Sequence, residues 1–276
     1  MMKTIAITGG KGGTGKSTFS LLLANKLLSQ GKKVVLADLD VECPNDHLLL
    51  DLSLNKPFEF VFRRFPVLDK RKCRRCGLCA QKCHLGAVFA PPGQYPTFLE
   101  DLCAGCGLCA HFCPYGAIKM RKKRIGALYR RKVATNFYLF TGQTKEVVEE
   151  SGPVVTKTRQ AASRWAEKQN AHYLLLDTAA GMHCGVIRAL WGVDLVYAVT
   201  EPTPLGAHDL ALILDLTKRM KLPVKIVLNQ FNLGRKKLIE SLAQERKVEI
   251  VYRLPYSSSL AKAYARGSLR NFDFLP

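Results

Sequence analysis

Residues 3–18, KTIAITGGKGGTGKST, join a short apolar run to a glycine-rich loop. Lys3–Thr8 predicts a buried strand, and the periodic apolar residues of 16–30 predict a helix that Gly31 ends. Lys33–Ala37 predicts the next strand. Strand, loop, helix and strand in this order form a βαβ unit, which indicates a parallel sheet.

The alternation of strands and helices stops near residue 56 and resumes far downstream. We therefore expect a doubly wound, mostly parallel α/β domain made of residues 1–56 and 125–276, with a small inserted α+β domain at 57–124. The later predicted strands are Tyr173–Leu176, Leu195–Val199, Val224–Leu228 and Glu249–Tyr252, and the later predicted helices cover 184–191, 206–221 and 233–246.

The composition excludes several classes of protein. The 276 residues are 47% hydrophobic, which is typical of a folded chain with a sizeable core. No apolar run reaches the roughly 18 residues of a membrane span, and the N-terminus lacks the apolar segment of a signal peptide. We expect a cytoplasmic protein, in which clustered cysteines bind metal rather than form disulfides.

The glycine-rich loop carries a phosphate-binding motif. Residues 10–17 match G-x-x-x-x-G-K-[ST], in which backbone N–H groups and the helix N-terminus surround phosphate oxygens. Lys16 would contact the β- and γ-phosphates, and the Ser17 hydroxyl would bind Mg²⁺. The loop residues predicted to bind ATP are Gly10, Lys11, Gly12, Gly13, Thr14, Gly15, Lys16, Ser17 and Thr18.

The extra lysine makes this loop distinctive. KGGTGKST resembles the deviant Walker A loop of the MinD/ParA/Mrp family of P-loop ATPases, which includes the nitrogenase iron protein. The resemblance implies an ATP-dependent homodimer in which Lys11 reaches the nucleotide of the other subunit. It also implies that Asp38 supports Mg²⁺ and that Asp40 positions or activates the attacking water.

Three later segments extend the resemblance. The apolar run that ends at Asp177 fits the Walker B strand, whose carboxylate supports Mg²⁺, and Gly181 would present its N–H to the γ-phosphate. The usual Asp-x-Pro-Pro-Gly form has alanines at both proline positions here. Asn229 would hydrogen-bond adenine, and Pro255 lies in the second loop around the base.

Eight of the ten cysteines lie between Cys73 and Cys113. Residues 73–88 align with 103–118 at a period of 30, with 9 of 16 positions identical, so the segment contains a duplicated unit. Each unit has the spacing C-x2-C-x2-C-x3-C, which is typical of iron–sulfur ligands. Paired zinc sites are the alternative, although zinc ligands usually come as two separated pairs.

The segment resembles a bacterial ferredoxin with two [4Fe–4S] clusters, in which each unit supplies three ligands to one cluster and one to the other. The resemblance implies a first set of Cys73, Cys76, Cys79 and Cys113, and a second set of Cys83, Cys103, Cys106 and Cys109.

Cys43 and Cys184 remain outside these sets. Cys184 follows the Walker B aspartate as a cysteine of the nitrogenase iron protein does, so a cluster between subunits is one hypothesis. The other hypothesis is that Cys43 and Cys184 are buried small residues or include a redox-sensitive thiol.

The net charge of +20 is concentrated around the insert. Residues 63–132 hold sixteen Lys and Arg against three acids. The charge favours an acidic redox protein or an iron–sulfur client as partner. The alternatives are that the basic residues bind nucleic acid or that they form a solvated surface without a partner. Nucleic-acid binding is disfavoured because few aromatic residues lie among the basic ones.

Three functions fit the sequence. The first is an ATPase that couples nucleotide state to electron transfer through two [4Fe–4S] clusters, since the γ-phosphate orders the loops after Asp38 and Asp177. The second is an Mrp-like, ATP-dependent carrier of iron–sulfur clusters, although no C-x-x-C pair follows Cys113. The third is a MinD-like or ParA-like positioning ATPase.

Overall fold

The computed structural model describes residues 2–145, 151–270, 272, 274 and 275. Its strands are β1 (Lys3–Thr8), β2 (Val34–Leu39), β3 (Glu59–Leu68), β4 (Val88–Phe89), β5 (Thr97–Phe98), β6 (Ile118–Ala134), β7 (Phe137–Thr144), β8 (Tyr173–Thr178), β9 (Leu195–Thr200), β10 (Val224–Asn229) and β11 (Ile250–Leu254). Its helices are α1 (Lys16–Ser29), α2 (Asp46–Leu49), α3 (Leu78–Gln81), α4 (Leu108–His111), α5 (Gly152–Lys168), α6 (Cys184–Leu190), α7 (Pro204–Arg219), α8 (Lys236–Arg246) and α9 (Ser258–Ala265).

Nine of the described strands form one sheet in the order β11-β10-β9-β1-β8-β2-β7-β6-β3. Neighbours from β11 to β7 run parallel, whereas β6 and β3 continue the sheet antiparallel. The expected doubly wound, mostly parallel α/β fold is confirmed. Because β1 lies between β8 and β9, the loop that follows it emerges at the middle of the carboxyl edge of the sheet, where such folds bind ligands.

Helices cover both faces of the parallel strands, which explains their nearly continuous apolar sequences. Successive residues of a strand point to opposite faces. Leu175 of β8 packs with Phe19 of α1, whereas Leu174 and Leu176 pack with Val154 of α5 on the other face. No helix among the described residues combines the length and apolar character needed to cross a membrane.

The segment expected as an insert at 57–124 begins and ends with strands of the main sheet. In β3, Val61 and Phe65 are buried, whereas Phe60 and Phe62 are exposed. The many Lys and Arg residues of β6 make it look like a loop in the sequence. It is a strand nevertheless, because an antiparallel strand at the edge of a sheet needs only one apolar face. The cysteine-rich chain therefore leaves the sheet after Leu68 and returns at Ile118, and these two residues are register partners.

The cysteine-rich chain folds as two similar halves. The short helices α3 and α4 begin 30 positions apart, directly after Gly77 and Gly107. Both glycines have positive φ, 72° and 82°, a conformation that favours glycine. The strands β4 and β5 pair with each other beside these helices.

Candidate functional site

The glycine-rich loop wraps around the N-terminus of α1. Gly13 and Gly15 have φ of 83° and 94°, which turns the backbone back on itself. A Cβ atom at Gly15 would lie 2.4 Å from Asn229 Nδ2, so this position has no room for a side chain. The loop and the start of α1 together form an anion-binding terminus.

A cavity of about 350 Å³ opens beside this loop, within the size range of small-molecule sites. Nine of the residues predicted from the sequence line it: Gly12, Gly13, Gly15, Lys16, Ser17, Thr18, Asp40, Asn229 and Pro255. The far wall is formed by Tyr256, Leu260 and Tyr264. The other predicted residues of the site are not among those that line the cavity: Gly10, Lys11, Thr14, Asp38, Asp177 and Gly181.

The two lysines of the loop have different surroundings. Lys16 lines the cavity, and its Nζ donates to the carbonyl oxygen of Lys11 over 3.4 Å. The Lys11 side chain points instead toward Glu201, at the end of β9, and forms an ion pair with it in the same chain. The structure thus holds Lys16 at the cavity and Lys11 away from it.

Asp38 organises the loop that follows β2. It is fully buried, and its carboxylate accepts N–H bonds from Asp40 (3.2 Å), Asn45 (3.0 Å) and Asp46 (3.1 Å). Burial raises the pKa of Asp38 well above its ordinary value, and the charge of Asp177 raises it further. Asp40 lines the cavity, and burial raises its pKa while nearby Lys16 lowers it.

Asp177 lies near the end of β8, opposite Asp38 on the neighbouring strand β2. Its Oδ1 accepts a hydrogen bond from Ser20 Oγ over 3.0 Å, while its buried Oδ2 has no donor among the described residues. Burial raises the pKa of Asp177 to about 6, although Ser17 and Lys16 oppose the shift. A buried oxygen without a donor beside Ser17 is the environment that a divalent cation would satisfy.

Asp46 is a member of this group that the sequence did not reveal. It is fully buried at the start of α2, and neither carboxylate oxygen has a donor among the described residues. Burial raises the pKa of Asp46 well above its ordinary value, and the charges of Asp177 and Asp38 add to the effect. An aspartate at a helix start is ordinarily a favourable surface residue, so the sequence offered no distinguishing signal.

The residues predicted to contact the γ-phosphate and the base, Gly181 and Asn229, both donate hydrogen bonds to backbone carbonyl oxygens. The Gly181 N–H donates to the Gly9 carbonyl over 3.1 Å, so the loop after Asp177 contacts the residue that follows β1. Asn229 Nδ2 donates to the carbonyl oxygen of Thr14 over 3.0 Å while the residue lines the cavity. Whether Asn229 contacts adenine stays a prediction.

The four cysteines of the first predicted set surround a small cavity of about 20 Å³. Cys73, Cys76 and Cys79 come from one repeat, and Cys113 comes from the other. Two backbone N–H groups donate to these sulfurs, from Arg75 to Cys73 over 3.4 Å and from Ala117 to Cys113 over 3.3 Å. The two repeats are therefore brought together at this point.

The second set is less enclosed. Cys83 and Cys109 share a small apolar core with Cys79 and Cys113 of the first set, whereas Cys103 packs against the core of the main sheet. Burial raises the pKa of the Cys109 thiol to about 11, and Cys103 and Cys106 add to the shift.

No group of three His, Cys, Asp or Glu side chains in the described residues is arranged to hold a metal ion. Thiols around one zinc ion would each lie about 2.3 Å from it, and thiols around a cubane stand farther apart because each binds a separate iron. Neither kind of site is formed among the described residues, and the cavity that the first four thiols line is only about 20 Å³. Cys43 and Cys184 are exposed and belong to neither set.

Comparison with known proteins agrees with the geometry of the nucleotide cavity. A sequence profile of the CobQ/CobB/MinD/ParA nucleotide-binding domain matches residues 5–270. The uncharacterized protein MJ0579 of Methanocaldococcus jannaschii is 34% identical over 269 residues, which are 96% of this chain and 90% of that protein.

Solved structures share the fold. The septum site-determining protein MinD of Pyrococcus horikoshii, complexed with Mg-ADP, superposes with a TM-score of 0.59 at 18% identity, covering 97% of this chain and 86% of that one. A ParA family ATPase from Chlorobium tepidum gives a TM-score of 0.57 at 14% identity, covering 98% and 92%.

Proposed function

The chain belongs to the CobQ/CobB/MinD/ParA nucleotide-binding family, and from this premise we propose that it is an ATPase that couples its nucleotide state to electron transfer through two [4Fe–4S] clusters. The observation that carries the proposal is the joining of two sites on one sheet. A cavity of about 350 Å³ lies at the carboxyl edge, and a cavity lined by Cys73, Cys76, Cys79 and Cys113 lies in the unit at the tip of the β3–β6 hairpin.

The nucleotide cavity supports binding of MgATP. Lys16 and the loop backbone would hold the phosphates, and Ser17 and Asp177 would hold Mg²⁺. The cation would satisfy the buried Oδ2 of Asp177, which has no donor among the described residues. Asp40 lines the cavity and would orient the attacking water. Lys11 would have to leave Glu201 to reach a nucleotide in a second subunit.

The cysteine-rich unit supports cluster binding by its donors. Cys73, Cys76, Cys79 and Cys113 would hold one cluster, and Cys83, Cys103, Cys106 and Cys109 the other. A bound [4Fe–4S] cluster supplies one-electron chemistry at a potential set by charge, hydrogen bonds to sulfur and exposure. The N–H groups of Arg75 and Ala117 would stabilise thiolate charge in the first set.

A chain of contacts links the two sites. The carbonyl oxygen of Val41, in the loop after Asp40, accepts hydrogen bonds from the N–H (2.8 Å) and Oγ1 (3.2 Å) of Thr144 at the end of β7. β7 pairs with β6, and β6 leads directly into the cysteine-rich unit. A shift of the Asp40 loop on nucleotide binding would therefore move β7 and, through it, β6, the strand that follows the cysteine-rich unit.

The test compares nucleotide states of anaerobically purified protein. We expect about eight iron atoms per chain and cluster potentials that differ between ADP and a non-hydrolysable ATP analogue. Redox titration followed by electron paramagnetic resonance measures both clusters. Identical potentials and identical electron-transfer rates in the two nucleotide states would contradict the coupling.

A positioning ATPase is the second candidate, because the structural neighbours are MinD and ParA proteins. It predicts ATP-dependent binding to a membrane or to DNA that does not depend on iron. A cluster carrier predicts instead the transfer of iron to an apo-protein. Vesicle and DNA pelleting, with and without ATP, and an iron-transfer assay separate these functions from the first.

A further inference from the structure

The two halves of the cysteine-rich unit differ in charge at equivalent positions. Residues 70–75 precede and enter the first cysteine triplet, and residues 100–105 do the same for the second, 30 positions later. Five cations of the first loop correspond to two acids and three uncharged residues. The pairs are Lys70 and Glu100, Arg71 and Asp101, Lys72 and Leu102, Arg74 and Ala104, and Arg75 and Gly105.

The basic loop faces solvent and is partly rigid. All five cations are exposed, and one acid nearby, Asp69, lies 3.7 Å from Arg71. Arg75 is fixed, since its guanidinium donates to the Gly93 carbonyl (3.3 Å) and to Tyr95 Oη (3.2 Å) and lies 4.4 Å from the Tyr95 ring centre. The loop also lines the cavity of the first cysteine set.

The second loop is turned toward the sheet instead. A Cβ at Gly105 would lie 2.4 Å from the Arg64 carbonyl oxygen, so this loop rests on β3. The Glu100 carbonyl oxygen accepts from Arg63, and its carboxylate pairs with Lys123 of β6. Contacts within the chain therefore hold both ends of the second loop, at Glu100 and Gly105.

We propose that residues 70–75 form the docking surface for an acidic, one-electron carrier protein, which exchanges electrons with the group held by Cys73, Cys76, Cys79 and Cys113. This inference rests on the proposed cluster function. One electron leaves the reduced partner and enters that group, so the partner is oxidised by one electron and this chain is reduced by one. Opposite charge steers the encounter and orients the partner over the loop.

A protein partner fits better than single-stranded nucleic acid. Stacking of bases requires aromatic faces that are free. Tyr95, which lies beside the basic loop, is in contact with Arg75, and Lys70 Nζ lies 5.5 Å from its ring centre. Cations therefore occupy this ring, and bases would have to stack on Tyr115, the exposed aromatic residue that lines the same cavity.

The test reverses charge at three exposed positions and keeps Arg75, whose guanidinium holds the loop against Gly93 and Tyr95. The docking variant is Arg71→Glu, Lys72→Glu and Arg74→Glu. The control, Arg235→Glu, Lys236→Glu and Lys237→Glu, makes the same charge change at the start of α8, where acids are favourable. Flavodoxin, an acidic one-electron carrier, is the probe, studied by stopped-flow reduction and by calorimetry of the oxidised form.

We expect the docking variant alone to lose about tenfold or more in rate and affinity, with the wild-type rate falling as salt rises. Iron content and the resonance signal after full chemical reduction must equal those of the wild type. Equal losses in both variants, no loss in either, or an oligonucleotide that binds the loop more tightly than flavodoxin would overturn the docking surface. Absence of iron in the wild type would instead reject the proposed function, and this inference with it.

Discussion

Lys11 Nζ lies 2.5 Å from Glu201 Oε1 of its own chain. Thr203 Oγ1 donates to the same carboxylate oxygen over 3.1 Å, so Glu201 is itself held in place. The family resemblance implies that Lys11 contacts the nucleotide of a partner subunit. Such a contact would require the ion pair within the chain to break, so Glu201 would compete with the partner's nucleotide for the Lys11 ammonium.

Glu201→Gln should therefore favour the ATP-bound dimer. The pair is partly buried and worth about 1 kcal/mol, so half-maximal dimerisation should need about fivefold less ATP. Light scattering after size-exclusion chromatography, across a series of ATP concentrations, measures the shift. Glu249→Gln is the control, because it removes the exposed pair with Lys225. A shift of the same size in the control would argue against competition at Lys11.

Asp46→Asn should stabilise the nucleotide-free protein in the absence of Mg²⁺. The substitution removes one of three neighbouring buried carboxylates, whose burial and mutual repulsion raise the pKa of Asp46. Thermal unfolding should then shift upward by about 2–4 °C, the change that about 1 kcal/mol produces in a chain of this size. Added Mg²⁺ should shrink the difference, because the cation neutralises the same carboxylates.

Asp51→Asn supplies the comparison for Asp46→Asn. Asp51 lies just beyond α2 and is exposed, and its φ of 53° is one that asparagine tolerates. Its unfolding temperature should stay near that of the wild type. If Asp46→Asn lowers stability with and without Mg²⁺, the buried carboxylate is stabilising and the expected repulsion is absent.

The stability of the nucleotide-free protein should fall as the pH rises from about 4 to about 6. Asp177 has a pKa of about 6 in the folded chain, above the ordinary value of an aspartate, so the folded state binds the extra proton in this window. Its stabilising contribution is complete below the lower value and lost above the upper one. Denaturant unfolding at several pH values, without Mg²⁺, measures the slope. Asp177→Asn should flatten it, and a slope unchanged by that substitution would assign the titration to another group.

Iron content should separate the cysteines into two classes. Cys113→Ser would remove a proposed ligand of the first set and should lower iron from about eight to about four atoms per chain. Cys43→Ser and Cys184→Ser should leave it near eight. Loss of iron in both of the latter variants, with loss of the dimer, would favour a cluster shared between subunits.

Gly105→Ala should weaken the second cysteine set more than Gly93→Ala weakens the first. Both glycines have φ near 72°, which costs alanine about 1 kcal/mol. A Cβ at Gly105 meets the Arg64 carbonyl oxygen, whereas one at Gly93 meets nothing within 4 Å. The difference between the two variants in iron retention during dialysis therefore reports the contact of the loop with β3. Equal retention would mean that the contact yields easily.

The parts of the fold that follow from local patterns were predictable. The run before Gly9 was predictable as a strand because buried parallel strands are apolar on both faces. The helix from Lys16 was predictable from its periodic apolar residues, and together they indicated the βαβ unit at the start of the chain. The strands β3 and β6 escaped prediction, since the exposed face of β6 is rich in Lys and Arg and the two strands pair over about 50 to 70 residues of sequence.

The candidate site was predictable only where a motif specifies it. Lys16, Ser17 and Asp40 line the cavity as expected. The pairing of Lys11 with Glu201 joins residues 190 positions apart, and no periodicity encodes such a contact. Asp46 was missed because its burial depends on the packing of α2 and not on any spacing.

The register pairing of Leu68 with Ile118 places the cysteine-rich unit at the tip of a β-hairpin. A turn of a few residues could join the same two strands without moving either one. Gain or loss of the whole unit in evolution would then require no rearrangement of the nucleotide-binding sheet. The same junction gives a site at which a designed module could be grafted onto an ATPase of this family.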